Sequence, residues 1–185
     1  LFGPDRLGKT NAKFDRDKLL AFNTDWAATL PEDRLLEAFK DFLSLNDTPI
    51  PAGDDDLLRT LLRVCKGFRT FADIAAKTGV LFAPDDAYAY DPKAVEKVLS
   101  KGERNGYSVL GDLLPALEAA DWTPAALEDL LKGFCEKNAL GMGKVAQPLR
   151  VAVTGTTVSP AIGETLALLG RAKTLARIRR CLAQR

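Results

Sequence analysis

Apolar residues recur at helical spacing along most of the chain. Leu35, Leu36, Phe39, Phe42 and Leu43 form one stripe behind Pro31, and Leu57, Leu58, Leu61, Leu62 and Cys65 form another up to Gly67; this three-and-four repeat predicts amphipathic helices. Phe68, Phe71 and Ile74 carry an apolar face on to Gly79. Asp15 is placed to cap a helix beginning RDKLLAFN, and Asp54, Asp55 and Asp56 to cap the one that follows NDTPIPAG. Beyond the turn-rich FAPDDAYAYDP, the segments KAVEKVLS and SVLGDLLPALEAA predict further helices. Thr123-Pro124 opens another, with Leu127, Leu130, Leu131 and Phe134 facing inward. The last segment puts Leu175, Ile178, Cys181 and Leu182 on one stripe and Arg171, Lys173, Arg177, Arg179 and Arg180 largely off it, a basic amphipathic helix. No strand or hairpin pattern interrupts the series. The expectation is an all-α protein of two small helical bundles: residues 1–13 as a lead-in, 14–88 as the first bundle and 89–185 as the second.

One stretch stands apart. TGTTVSPAIGE, Thr154 to Glu164, is rich in hydroxyls and glycine. A phosphate-cradling loop would need its second glycine followed by Lys and then Ser or Thr, whereas Gly163 precedes Glu164, whose carboxylate repels phosphate. A helix start fits better. Ser159 is a favoured N-cap, Pro160 a favoured first helical residue, Ile162, Leu166 and Leu169 share a face, and Gly170 terminates it. An exposed helix N-terminus offers free N–H donors to an anion or a base edge.

Composition narrows the chemistry. The 185 residues contain no histidine, which removes the commonest general base and zinc co-ligand. Cys65, Cys135 and Cys181 are scattered and form no C-x-x-C pair, so reduced core thiols are expected, with no metal site. No long apolar run or signal segment is present, and a cytoplasmic protein with no membrane partner is expected. The net charge of +1 conceals a division: residues 132–185 hold ten basic and two acidic side chains, whereas 1–131 hold 16 basic and 23 acidic. A one-sided basic excess points to a polyanion, nucleic acid above all.

The motifs then resemble a known family. VAQPLRVAVTGTTVSPAIGETLALLGRAKTLARI is similar to the end of bacterial-type glutamyl-tRNA synthetases, with Q-P-L-R, T-G, S/T-P and E-x-L-x-L-L-G in order. LGKTNAKFDRDKLLAFNTDW and TPAALEDLLKGF resemble two further segments of that family. The resemblance implies a helical cage that grips the anticodon arm of glutamate-accepting tRNA, leaving glutamine tRNA open as a second partner. It also implies a monomer and an upstream catalytic domain that uses ATP and magnesium. This chain should hold no cofactor and no catalytic residue, since the His-x-Gly-His signature of class I synthetases needs histidine. Carried over by motif, Arg150 contacts anticodon bases, and Ser159, Pro160, Ile162 and Gly163 form the loop and helix start against which those bases lie. At Gly163 some members carry a large aromatic residue. Lys132 falls where relatives carry arginine, and the arginine that helps read the third base falls on Gly67, with Lys66 and Arg69 as substitutes. Two other readings remain open: a helical docking or regulatory domain that no longer binds tRNA, and a small-molecule enzyme working through carboxylates.

Overall fold

The computed structural model describes residues 15–85 and 87–185; the expected lead-in at 1–13 lies outside them. Four helices come first: α1 (Arg16–Thr29), α2 (Glu32–Leu45), α3 (Asp55–Val64) and α4 (Phe71–Phe82). A short α5 (Pro92–Ala94) runs directly into a π-helix, Val95–Ser100, and α6 (Gly106–Glu118), α7 (Pro124–Lys137), α8 (Met142–Thr154), α9 (Ile162–Leu169) and α10 (Arg171–Ala183) complete the chain. The caps lie where the sequence puts them. Asp15 accepts from the Lys18 amide, Asp54 from Leu57 and Thr123 from Ala126, each satisfying a donor that the first turn leaves unpaired.

Two apolar cores result. Leu36, Phe39 and Leu43 of α2 meet Leu58, Leu61 and Leu62 of α3, with Phe68 and Ile74 closing one end. The larger core gathers Leu110, Leu113 and Leu117 of α6, Leu127 and Leu131 of α7, Val145, Leu149 and Ala152 of α8, Leu166 of α9 and Ile178 of α10. The changeover lies inside α4, whose Ile74 belongs to the first core and Leu81 to the second. One continuous helix thus serves both cores, and beyond it the Tyr88 hydroxyl donates to the Ala152 carbonyl of the second at 3.0 Å. All three cysteines are free and buried.

α8 is the central helix of the second core, packing on α6, α7 and α10. Pro148 is tolerated within it, at the cost of one intrahelical hydrogen bond. One expectation needs correction: Arg177 does not lie on the solvent face of α10. Its side chain is fully buried. Nε donates to Asp85 Oδ1 at 2.7 Å, Nη1 to the carbonyls of Val80 (3.0 Å) and Val153 (2.8 Å), and Nη2 to that of Ala83 (3.1 Å). The guanidinium also stacks 4.5 Å from the Tyr88 ring centroid. Most of the other cations of α10 are engaged as well. Arg179 pairs with Glu118 at 2.5 Å, Arg171 donates to the Glu118 carbonyl, and Arg180 donates to the Asp85 carbonyl while stacking over Tyr88. The basic helix thus spends much of its charge inside the fold.

Removing Arg177 should leave several buried carbonyls without a donor. Arg177→Ala is expected to lower unfolding free energy by about 3–5 kcal/mol, against a change within about 0.5 kcal/mol for the exposed Arg179→Ala; urea denaturation of both variants measures the contrast. A milder effect follows from the capping box of α4. The Asp73 carboxylate accepts from the Thr70 and Arg69 amides at 2.9 and 3.0 Å, and these bonds, Thr70's first, hold its pKa below the ordinary carboxylate value. A depressed folded pKa stabilises above the unfolded value of about 4 and loses that contribution as pH falls through the folded value. Asp73→Asn should therefore be less stable than wild type near neutral pH, with the gap closing in acid.

Candidate nucleic-acid interface

α8 ends at Gly155, which adopts a left-handed conformation (φ +77°). A side chain there would also collide with the Ala89 carbonyl. The chain then doubles back towards α9, and Arg150, in the last turn of α8, reaches into the returning loop. Its Nε donates to Ser159 Oγ at 3.1 Å and its Nη2 lies 3.5 Å from the Pro160 carbonyl. The Ser159 hydroxyl donates to that same carbonyl at 2.9 Å, and Thr165 Oγ1 stands 3.0 Å from both Ser159 Oγ and the Ala161 carbonyl. Burial lowers the pKa of the Arg150 guanidinium from its ordinary value. A half-buried cation held only by neutral oxygens gains from any anion or carbonyl-rich base edge that approaches it.

The loop differs from a simple helix start. Ser159 does not cap α9, which begins at Ile162 behind Ala161 with no side-chain cap; the Ser159 hydroxyl is already taken by Arg150 and Pro160. Nor does Ile162 present its side chain outward. It is only 7% exposed and belongs to the larger core, because α9 packs its first turn on α7. Gly163 is forced by the same contact: a Cβ would stand 2.7 Å from Glu128 Cγ and 3.0 Å from the Pro124 carbonyl. The aromatic residue that the resemblance puts at this position in some members has no room against α7.

Lys132 is exposed on α7, 3.6 Å from Asp129. Of the three residues considered for the third base, Lys66 lines a groove of about 410 Å³ together with Arg59, Arg63, Leu35 and Phe68. Gly67 forms the left-handed turn after α3 (φ +87°), where an arginine would be strained. Arg69 lies outside the groove, and its amide serves the α4 cap. Arg63, which the sequence reading passed over, connects this groove to the loop region: its Nη1 pairs with Glu164 Oε1 at 3.2 Å. Arg150, Ser159 and Pro160 thus form one corner, Gly163 and Glu164 continue it along α9, and Arg63 leads on to Lys66. Lys132 stands apart on α7. Thr165 was also missed; only its position one turn into a helix that follows a hydroxyl-rich loop could have singled it out.

The fold and this corner define a class. A family model described as an anticodon binding domain matches residues 34–182, and the chain belongs to that family. Among curated proteins it is 38% identical over 173 residues to the glutamate–tRNA ligase of Myxococcus xanthus, covering 93% of this chain and 35% of that protein. Glutamate–tRNA ligase 1 of Syntrophus aciditrophicus is 34% identical over 184 residues, covering 99% and 38%. The chain thus spans little more than a third of the relatives it matches. A solved glutamate tRNA ligase from Elizabethkingia meningosepticum, in complex with its amino acid, superposes with a TM-score of 0.78 at 22% identity, over 98% of this chain and 35% of that one. The likeness extends to the all-helical fold.

Packing at the start of α9 makes its own prediction. Ile162→Ala should cost about 2–5 kcal/mol as a core truncation, and Gly163→Phe about 1–3 kcal/mol by prising α9 from α7. Thermal unfolding of the two variants, with Val158→Ala on the exposed loop as a control, distinguishes a packed helix start from a solvent-facing one.

Proposed function

We propose that this chain is the part of a glutamate–tRNA ligase that grips the anticodon arm of glutamate-accepting tRNA and positions it for glutamylation by a catalytic domain elsewhere in the longer protein. The observation that carries this reading is the Arg150 corner: a half-buried guanidinium with no acidic partner among the described residues, set on a rigid helix and aimed by Ser159 and Pro160, within a chain of the anticodon-binding family. Bidentate recognition of a base edge needs a planar donor whose orientation is fixed before binding, and the Ser159 contact fixes it. Ser159 and Pro160 act as positioning groups, and the buried Ile162 and Gly163 support the loop from below. Lys66, in the groove beside Arg63, is the candidate contact for the third base, since Gly67 offers no side chain and Arg69 stands away from the groove. Lys132 supplies a phosphate contact from α7. Whether glutamine tRNA is also accepted depends on that third-base contact.

Among the described residues no group of three or more His, Cys, Asp or Glu side chains converges to hold a metal ion, and the chain carries no phosphate-loop motif. Among the described residues no helix is long and apolar enough to cross a membrane.

The reading is tested with a fluorescent RNA hairpin carrying the anticodon loop of a glutamate-accepting tRNA, and a second hairpin with that anticodon replaced. Arg150→Ala should weaken the first by about 1–3 kcal/mol and erase most of the preference between the two, whereas Lys173→Ala on the exposed side of α10 should change both equally and slightly. Wild-type chain that binds both hairpins alike would overturn the proposal.

A further inference from the structure

Two threonines of this fold occupy the same local setting and differ in one contact. Thr78 in α4 and Thr165 in α9 are both fully buried, and each hydroxyl lies within reach of the carbonyl four residues back, Ile74 at 2.8 Å and Ala161 at 3.0 Å. That bond is what a threonine inside a helix ordinarily makes. Of the pair, only Thr165 goes further: its Oγ1 also stands 3.0 Å from Ser159 Oγ and 3.3 Å from the Pro160 carbonyl.

A hydroxyl has one proton to give and two lone pairs to fill, so the network around Ser159 can be counted. Arg150 Nε is a donor only and the Pro160 carbonyl an acceptor only. Ser159 therefore accepts from the first at 3.1 Å and donates to the second at 2.9 Å, which leaves one lone pair on Ser159 Oγ. The Ala161 carbonyl already takes the Thr165 amide at 2.9 Å, and the Pro160 carbonyl already takes the Ser159 proton. The acceptor still unmet, and in reach of the Thr165 proton, is Ser159 Oγ. With that bond made, the serine oxygen has a partner in each of its directions, and neither its χ1 rotamer nor its proton can turn without breaking one. Arg150 Nη1 has no hydrogen-bond partner among the described residues and is what the fixed Nε leaves free for a base edge. Thr165 itself has no exposed surface and can touch no ligand.

We infer that Thr165 is a positioning residue for Arg150: its hydroxyl donates to Ser159 Oγ and so holds the serine as the acceptor that orients the guanidinium. The inference rests on the proposed role of Arg150 in reading the anticodon, and adds to it a buried residue that sharpens discrimination without meeting RNA.

The two hairpins, one with the glutamate anticodon and one with it replaced, test the role on the 185-residue chain. Thr165→Val keeps the shape and removes the hydroxyl. It should cut the preference between the hairpins about two- to tenfold, the worth of one hydrogen bond. Thr165→Ser should restore most of it, and Thr78→Val, which loses only a bond within its own helix, should leave it unchanged. In a Ser159→Ala background Thr165→Val should lower the preference no further, since the path to Arg150 is already cut. A second readout needs no RNA: in nitrogen-edited NMR spectra of the free chain, the Arg150 Nε–H should exchange with solvent faster in Thr165→Val than in wild type or Thr78→Val. Thr165→Ala carries the same comparisons if the valine variant does not fold. A preference that falls as far in the Ser159→Ala background, or an Nε–H exchange rate equal to that of wild type, overturns the role. Faster exchange in Thr165→Val, with a wild type that binds both hairpins alike, upholds the positioning of Arg150 and overturns the anticodon reading. A wild-type preference that Arg150→Ala erases and Thr165→Val spares does the reverse.

Discussion

The fold turns on one buried guanidinium. Arg177, midway along α10, sits where two helix ends meet: the carbonyls of Val80 and Ala83 finish α4, and that of Val153 lies in the last turn of α8. Helix C-termini leave carbonyls without intrahelical donors, and burying them unpaired is costly. One planar group with five donors answers several of them, while Asp85 neutralises its charge from the partly exposed side, where water still reaches. A buried ion pair by itself adds little net stability. Here its value is geometric, since a single side chain fixes the distances between α4, α8 and α10, and Tyr88 packs on its face.

That arrangement also sorts the positive charge. The excess in the last third of the chain looks, as composition, like a diffuse attraction for polyanions. In the structure Arg171, Arg177, Arg179 and Arg180 are all engaged with backbone carbonyls or carboxylates. Arg150 stands apart from them, half-buried and with no carboxylate partner among the described residues. Net charge therefore overstates how many cations of this region stay free to meet a polyanion.

How much of this is legible in the sequence depends on how each residue signals. Caps at Asp15, Asp54 and Thr123 and the stripes of α2, α3 and α7 are local patterns, and local patterns survive folding. The Arg177 hub is not local, because its partners lie more than twenty residues away along the chain and periodicity can only place an arginine on the polar side of a stripe. α8 hides for a different reason: two glycines and a proline are helix-breaking by propensity, and only burial between α6, α7 and α10 overrides them. In the loop, Ser159-Pro160 has the local form of a cap, but Arg150 from the preceding helix claims the hydroxyl and the helix begins two residues later. The motif resemblance singled out Arg150, Ser159 and Pro160, which the fold brings together, because it carries spatial information that composition and spacing lack. It could not show that Ile162 and Gly163 serve that corner from underneath.

The candidate interface crosses helices from both cores, so its usefulness depends on whether the cores hold a fixed relation. The Arg63–Glu164 pair joins them at 3.2 Å, but Arg63 is largely exposed, and exposed pairs contribute little. The rigid element is α4, continuous through both, with Phe82 and Leu168 packed against each core. A helix that contributes Ile74 to one core and Leu81 to the other cannot rotate without opening one of them. Arg177 adds a second restraint by anchoring the end of that helix to α8, the helix that carries Arg150. The groove at Lys66 and the corner at Arg150 are thus held at a set separation, so a ligand spanning both would not have to order one against the other, a cost that a flexible pair of bundles would bear on every encounter.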